Sequence, residues 1–117
     1  MSSFFIFDNR QTLDQAAIDA YVARAPATVA AFGGVYRSIY GKMWVVEGDY
    51  RPLLPIIIEF PSFEQAKAWY ESDMYQELKQ LRVNAQVGTG YLVEGLPKLP
   101  WYAKLLAKLG IGGPPKR

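Results

Sequence analysis

Apolar residues recur along this chain in two rhythms, and the alternation between them predicts its elements. Phe4-Phe5-Ile6-Phe7 and Ile56-Ile57-Ile58-Glu59-Phe60 are short runs with the aromatic and β-branched content of strands. Between them, Thr12-Leu13-Asp14-Gln15 has the capping-box spacing of a helix start. The helix it predicts continues to about Arg24 and buries Leu13, Ala17, Ala20 and Tyr21 along one stripe. Pro26 suits the start of a further short turn, which Phe32-Gly33-Gly34 ends. Val35–Tyr40 and Met43–Glu47 are strand-like and separated by Gly41-Lys42, giving a hairpin or one strand with a bent extension. Tyr50–Pro55 is a rigid connector.

A second capping box, Ser62-Phe63-Glu64-Gln65, opens a helix running to about Arg82. Phe63, Ala66, Tyr70, Met74, Leu78 and Leu81 share one face of it, and Ser72-Asp73 is a place for it to break or be re-capped. Gly88–Glu94 is the last strand. The order β-α-β(β)-β-α-β predicts an α+β fold, a ferredoxin-like βαββαβ sandwich on an antiparallel sheet. Its central strands are the first and third, which here are the two most apolar runs. Those runs carry apolar side chains to both faces, whereas two helices cover one. A second copy of the chain, sheet against sheet, is the expected cover; the alternative is the C-terminal segment folded across.

The length of 117 residues suits one domain with a real core. No basic segment leads into a long apolar run, and no run approaches a membrane span, so the expected compartment is cytoplasmic and membrane association is unexpected. Cys and His are both absent, which excludes thiolate chemistry, imidazole ligation and a Ser-His-Asp triad. No carboxylate cluster suits a metal and no glycine pattern cradles a phosphate, so neither metal nor cofactor is expected. Residues 1–94 hold eight Lys/Arg against eleven Asp/Glu, a net of −3, while 95–117 hold five Lys/Arg and no acid. The chain thus divides into a domain over 1–95 and a basic extension over 96–117, in which Pro100–Leu109 predicts a short amphipathic helix. Trp101, Tyr102, Leu105, Leu106 and Leu109 lie on one side of that helix, and docking against the body or a second copy is its expected use.

Glu59 is the candidate catalytic residue. Strand alternation sets it with Ile57, opposite Ile56, Ile58 and Phe60, facing the space between sheets, where desolvation would raise its pKa toward that of a general base. The alternative is a carboxylate at a strand end, solvated or paired with an arginine. Trp69 and Tyr75 flank the apolar stripe and could line a pocket mouth, with Tyr70 in the core. Arg82 could pair with a ligand carboxylate, or with Glu77 or Glu59. Arg37 could pair with Glu47 across strands, and Trp44 could close a pocket or a dimer edge. Arg37, Trp44, Trp69, Tyr75 and Arg82 are therefore the candidate ligand-binding set.

Phe32-Gly33-Gly34, Glu47-Gly48, Ile58-Glu59-Phe60-Pro61-Ser62, Ala66, Ala68-Trp69-Tyr70, Ser72, Tyr75, Arg82 and Glu94-Gly95 stand in this order and spacing. With them, residues 3 to 95 resemble the domain-of-unknown-function family 1330 (DUF1330), within the dimeric α+β barrel superfamily. Leu54-Pro55, where such sequences often carry an arginine, and Asp73, where they often carry proline, depart from the pattern. The resemblance implies a homodimer whose sheets form a barrel, and no established reaction. Superfamily relatives suggest a cofactor-independent enzyme acting on a small apolar or aromatic molecule, with a non-catalytic ligand-binding or interaction module as the alternative. RNA-recognition domains share the element order. Leu54–Phe60 lacks their basic and glycine positions and the body is acidic, so no nucleic-acid partner is expected.

Overall fold

The computed structural model describes residues 1–97 and 105–110. Four strands and three helices follow in the order β1 (Ser3–Thr12), α1 (Gln15–Ala31), β2 (Val35–Ile39), β3 (Leu54–Phe60), α2 (Phe63–Glu71), α3 (Asp73–Ala85) and β4 (Gln86–Glu94). The strands form one antiparallel sheet in the order β2-β3-β1-β4, with the two most apolar strands central. The fold is the ferredoxin-like α+β sandwich that the element order predicts.

The helix layer packs on one face only. Phe5, Phe7, Ile58 and Phe60 of the sheet are buried against Val29 of α1, Ala66 and Trp69 of α2, and Tyr75 of α3. Trp69 is the centre of this packing. Its ring centroid lies 5.3 Å from those of Phe5 and Phe60 and 4.2 Å from that of Tyr75. Its buried indole N–H donates to Thr28 Oγ1 at 3.0 Å, and that hydroxyl donates on to the Ala25 carbonyl at 2.7 Å. Each polar atom buried with the tryptophan therefore has a partner.

Several local expectations change. α1 is capped by Asp14, whose side chain accepts from Ala17 N at 3.1 Å, rather than by Thr12, which belongs to β1. Leu13, expected in the core, is exposed, and the buried stripe is Ile18, Ala25, Thr28 and Val29. The helix runs through Pro26 because the carbonyl that loses its partner, at Val22, belongs to an exposed residue. Instead of stopping near Arg24 with a separate turn after it, α1 continues to Ala31 and ends at Phe32-Gly33-Gly34, the stop expected for that turn. Gly34 N donates to Val29 O and Gly33 N to Ala30 O, with Gly33 at positive φ, the Schellman arrangement.

The single helix expected over 63–82 is two. Ser72 ends α2 by donating to Trp69 O and caps α3 by accepting from Tyr75 N. The change of axis moves the buried face, so Trp69 and Tyr75 enter the core while Met74 is left exposed. The strand expected over Met43–Glu47 does not form. β2 is followed by Tyr40 at positive φ and pairs only with β3, so its outer edge is left open. Of the expected C-terminal helix, residues 105–108 are helical, Leu109 is in a turn, and 100–104 lie outside the described residues.

A methyl group on Gly34 would sit 2.6 Å from both Phe60 and Val29 side-chain atoms. Gly34→Ala should therefore destabilise the fold by about 1–3 kcal/mol through overpacking, measured as a lower urea midpoint at unchanged m-value. An unchanged midpoint would mean that the α1–β3 junction relaxes freely.

Candidate functional site

A cavity of about 300 Å³ opens on the helix side of the sheet, between β1, β4 and the α2–α3 pair. Phe5, Phe7 and Leu92 form its floor, and Tyr70 and Arg82 reach it from the helices. Gly90 and Tyr91 complete the lining. Gly90 makes the space: a side chain there would begin 2.7 Å from the Phe7 ring, so only glycine lets that ring lie across β4.

Arg82 carries the charge of this site. It stands in the last turn of α3, where a cation complements the helix end. Its guanidinium carbon lies 4.9 Å from the centroid of the Phe7 ring. Nε donates to Tyr75 Oη at 3.2 Å, and Tyr75 Oη lies 2.9 Å from Tyr21 Oη. Burial presses the Tyr21 phenol far above its ordinary pKa, and the neighbouring Tyr75 adds to this. Burial likewise pushes Tyr36, on β2, up to about 12. Burial opposes the charge on Arg82 itself, but Tyr75, Tyr21 and Tyr70 outweigh it and raise the guanidinium pKa. Among the described residues the ion pairs are Arg24–Glu77 and Arg37–Glu59, so Arg82 meets neither of the acids considered for it from the sequence.

Of the sequence candidates, Tyr75 and Arg82 come together here, but in different capacities. Arg82 lines the cavity, whereas Tyr75 is fully buried behind it and touches Arg82 instead. Trp69 is also fully buried and forms core, not a pocket mouth. Tyr70, read as core, is the half-buried ring that reaches the cavity, with Lys79 Nζ 5.2 Å from its centroid. The break at Ser72 explains the exchange, because the face assignment assumed one continuous helix. Phe5, Phe7, Tyr21, Gly90 and Leu92 were missed as site residues. The two glycines inside β4 were the available signal, since glycine within a strand marks close approach.

Glu59 and Arg37 form a separate feature on the opposite face. Alternation along β1 and β3 leaves Phe4, Ile6, Ile57 and Glu59 turned away from the helices, and no helix or loop among the described residues buries them. Val35 and Val93 extend this open face on the flanking strands. A bulge in β2 leaves Arg37 unpaired in the ladder, and its Nε donates to Glu59 Oε1 at 2.8 Å, not to Glu47. Hydrogen bonds from Ser2 and from Arg37 hold the Glu59 carboxyl below its ordinary pKa, the reverse of the rise expected for a desolvated base. In the single chain the carboxylate is stabilised as an ion. Trp44 lies far out on the 41–53 segment, 86% exposed, and lines none of these cavities. Among the described residues no cluster of His, Cys, Asp or Glu could hold a metal, and no helix is long and apolar enough to cross a membrane.

The family model described as Domain of unknown function (DUF1330) matches residues 2–96. No curated protein matches. Among solved structures, a protein of unknown function from Rhodopseudomonas palustris, RPA0582, is similar at 16% identity and a TM-score of 0.64, over 83% of this chain and 84% of its own. SnoaB, a cofactor-independent oxygenase from Streptomyces nogalater, is similar at 14% identity and a TM-score of 0.53, over 85% and 95%. An ethyl tert-butyl ether D (EthD) family protein from Bacillus halodurans C-125 is similar at 17% identity and a TM-score of 0.55, over 82% and 100%. At these identities the likeness is one of fold.

Because the folded-state pKa of Glu59 is depressed, its contribution to stability is present above its unfolded value and lost as pH falls through the folded value. Glu59→Gln should therefore flatten the acid limb of the stability–pH curve while changing stability little at pH 7 and above beyond loss of the Arg37 pair. An acid limb identical to that of the parent chain would show that the ion pair is not formed in solution.

Proposed function

This chain belongs to the DUF1330 family, and from that premise we propose that it takes a small apolar or aromatic molecule into the helix-side cavity and acts on it without a cofactor. The observation that carries this reading is the aromatic-walled cavity with one fixed cation in it. Pockets for small ligands begin at roughly this volume, about 300 Å³, and are mostly apolar with a few placed polar groups. A fixed guanidinium beside apolar walls is suited to stabilising negative charge that develops on a bound ring substituent. The fold relatives SnoaB and the EthD family protein are compatible with this class and supply no residue roles.

One observation favours the alternative of binding without turnover. None of the residues lining the cavity is a carboxylate, and the phenol behind Arg82 is shared with Tyr21, whose pKa is strongly raised. Proton abstraction would then depend on the ligand's own acidity. Glu59 as a base would serve only a molecule held against the other face, and its pairing with Arg37 works against that role.

We further propose that the open face is covered by a second copy. Phe4, Ile6 and Ile57 lie at its centre and Val35 and Val93 at its flanks, an apolar surface that a monomer leaves in water. The Arg37–Glu59 pair would then sit at the rim of the interface.

Two measurements test these readings. Indole- and naphthalene-sized compounds should raise the melting temperature, and Leu92→Trp, which fills the cavity, should remove that shift. A shift that survives Leu92→Trp would place the ligand elsewhere. Light scattering at micromolar concentration should give a dimer that Ile57→Lys converts to a folded monomer. A monomeric parent chain would rule out the interface.

A further inference from the structure

Resting on the cavity reading, we propose that the ligand is an aromatic carboxylate, gripped by the end of the Arg82 guanidinium, with Tyr75 and Tyr21 as the positioning residues that set that grip. The inference starts from a mismatch. A partly buried arginine is ordinarily matched by a carboxylate, because desolvating a lone charge is costly. Arg82 has no such partner among the described residues. It has instead a ring face beneath it, at Phe7, and one neutral acceptor at its Nε, the Tyr75 hydroxyl. Its two terminal amino groups have no acceptor among the described residues, and they form the end of the fork that takes a carboxylate with two parallel hydrogen bonds.

The phenols behind Arg82 make the orientation durable. Tyr75 is fully buried, so its own hydroxyl hydrogen needs a partner. With Tyr75 accepting from Arg82, its own hydrogen can go to Tyr21 Oη, 2.9 Å away. Tyr75 is itself packed 4.2 Å from Trp69, centroid to centroid, so the acceptor for Nε is anchored in the core. A carboxylate in place of Tyr75 would orient Arg82 equally well and would also neutralise it. The phenol orients it and leaves the charge for the ligand. The raised pKa of Tyr21 keeps that phenol a neutral partner through the physiological range.

The apolar part of the cavity defines the rest of the molecule. Phe5 and Tyr70 offer aromatic surface and Leu92 an aliphatic one, and the gap at Gly90 lies against the Phe7 ring. A cavity of about 300 Å³ has room for one or two fused rings. A ring in that space with its carboxylate toward Arg82 satisfies both halves of the site.

The test compares 2-naphthoate with its neutral isostere 2-naphthamide by calorimetry on the full chain, at low and high salt. The acid should bind at least about tenfold more tightly than the amide, with the advantage shrinking in salt. Arg82→Gln should erase that advantage and leave amide binding within a few-fold, and Arg82→Lys should restore only part of it, since ammonium lacks the fork. Tyr75→Phe should lower affinity for the acid several-fold without changing that for the amide, and Tyr21→Phe should do so more weakly. Equal affinity for acid and amide in the parent chain would overturn the proposal while leaving the cavity reading intact. Binding of neither compound would overturn the cavity reading as well. An acid preference that survives in both Arg82 variants, each shown folded by circular dichroism, would also overturn it by placing the anion site elsewhere.

Discussion

The helix layer is organised by the burial of one tryptophan. Trp69 brings a large ring and a polar N–H into the same dry space, and both must be satisfied. The ring is met by Phe5 and Phe60 from the sheet and by Tyr75 from α3, and the N–H by Thr28 from α1. One side chain thus holds three helices to two central strands. Truncating an aromatic of this kind typically costs about 3–5 kcal/mol, a large share of the stability of a small domain. The candidate site inherits its order from the same residue, because Tyr75, packed against Trp69, is the acceptor that holds Arg82.

The two faces of the sheet are built from the same strands and serve different ends. Alternation sends Phe5, Phe7, Ile58 and Phe60 to the helices and Phe4, Ile6, Ile57 and Glu59 away from them. On the helix side the packing is incomplete near β4, where Gly90 leaves room that the aromatic residues wall but do not fill. On the other side the apolar residues have no cover among the described residues, and the one charged pair, Arg37–Glu59, satisfies itself. The helix side thus holds a cation without a counterion among the described residues, and the other side an ion pair within an apolar surface.

Topology was the most legible property of the sequence, because strand order follows from element order and from which runs are apolar throughout. The FGG stop of α1 and the break at Ser72 were legible for the same reason: glycine and serine act locally, through φ and through a side-chain acceptor. What sequence could not supply was the direction in which each helix faces. The break at Ser72 exchanged Tyr70 with Trp69 and Tyr75, since a stripe drawn at constant pitch through 63–82 presumes one axis. The same limit applies to Asp14. Thr12-x-x-Gln15 and Asp14-x-x-Ala17 both fit a cap, and the choice went to Asp14 because β4 extends its pairing to Thr12. The expected strand at 43–47 failed on a third ground. Propensity marks a segment as strand-like without securing its pairing, and the outer edge of β2 is left open with Tyr40 at positive φ directly after it.

Glu59 shows how far a residue type can mislead when its neighbours are unknown. A carboxylate on an apolar strand looks like a base awaiting desolvation, and Ser2 together with the arginine that the β2 bulge supplies reverses the shift. Arg82 is the complementary case: two acids of the chain were open to it from the sequence, and its surroundings leave it oriented but unneutralised among the described residues. In both, chemistry is set by whether the opposite charge comes from the protein. Where the protein provides it, as at Glu59, the group is committed to structure. Where the protein provides only a neutral acceptor and a ring face, as at Arg82, the remaining capacity belongs to whatever enters the cavity.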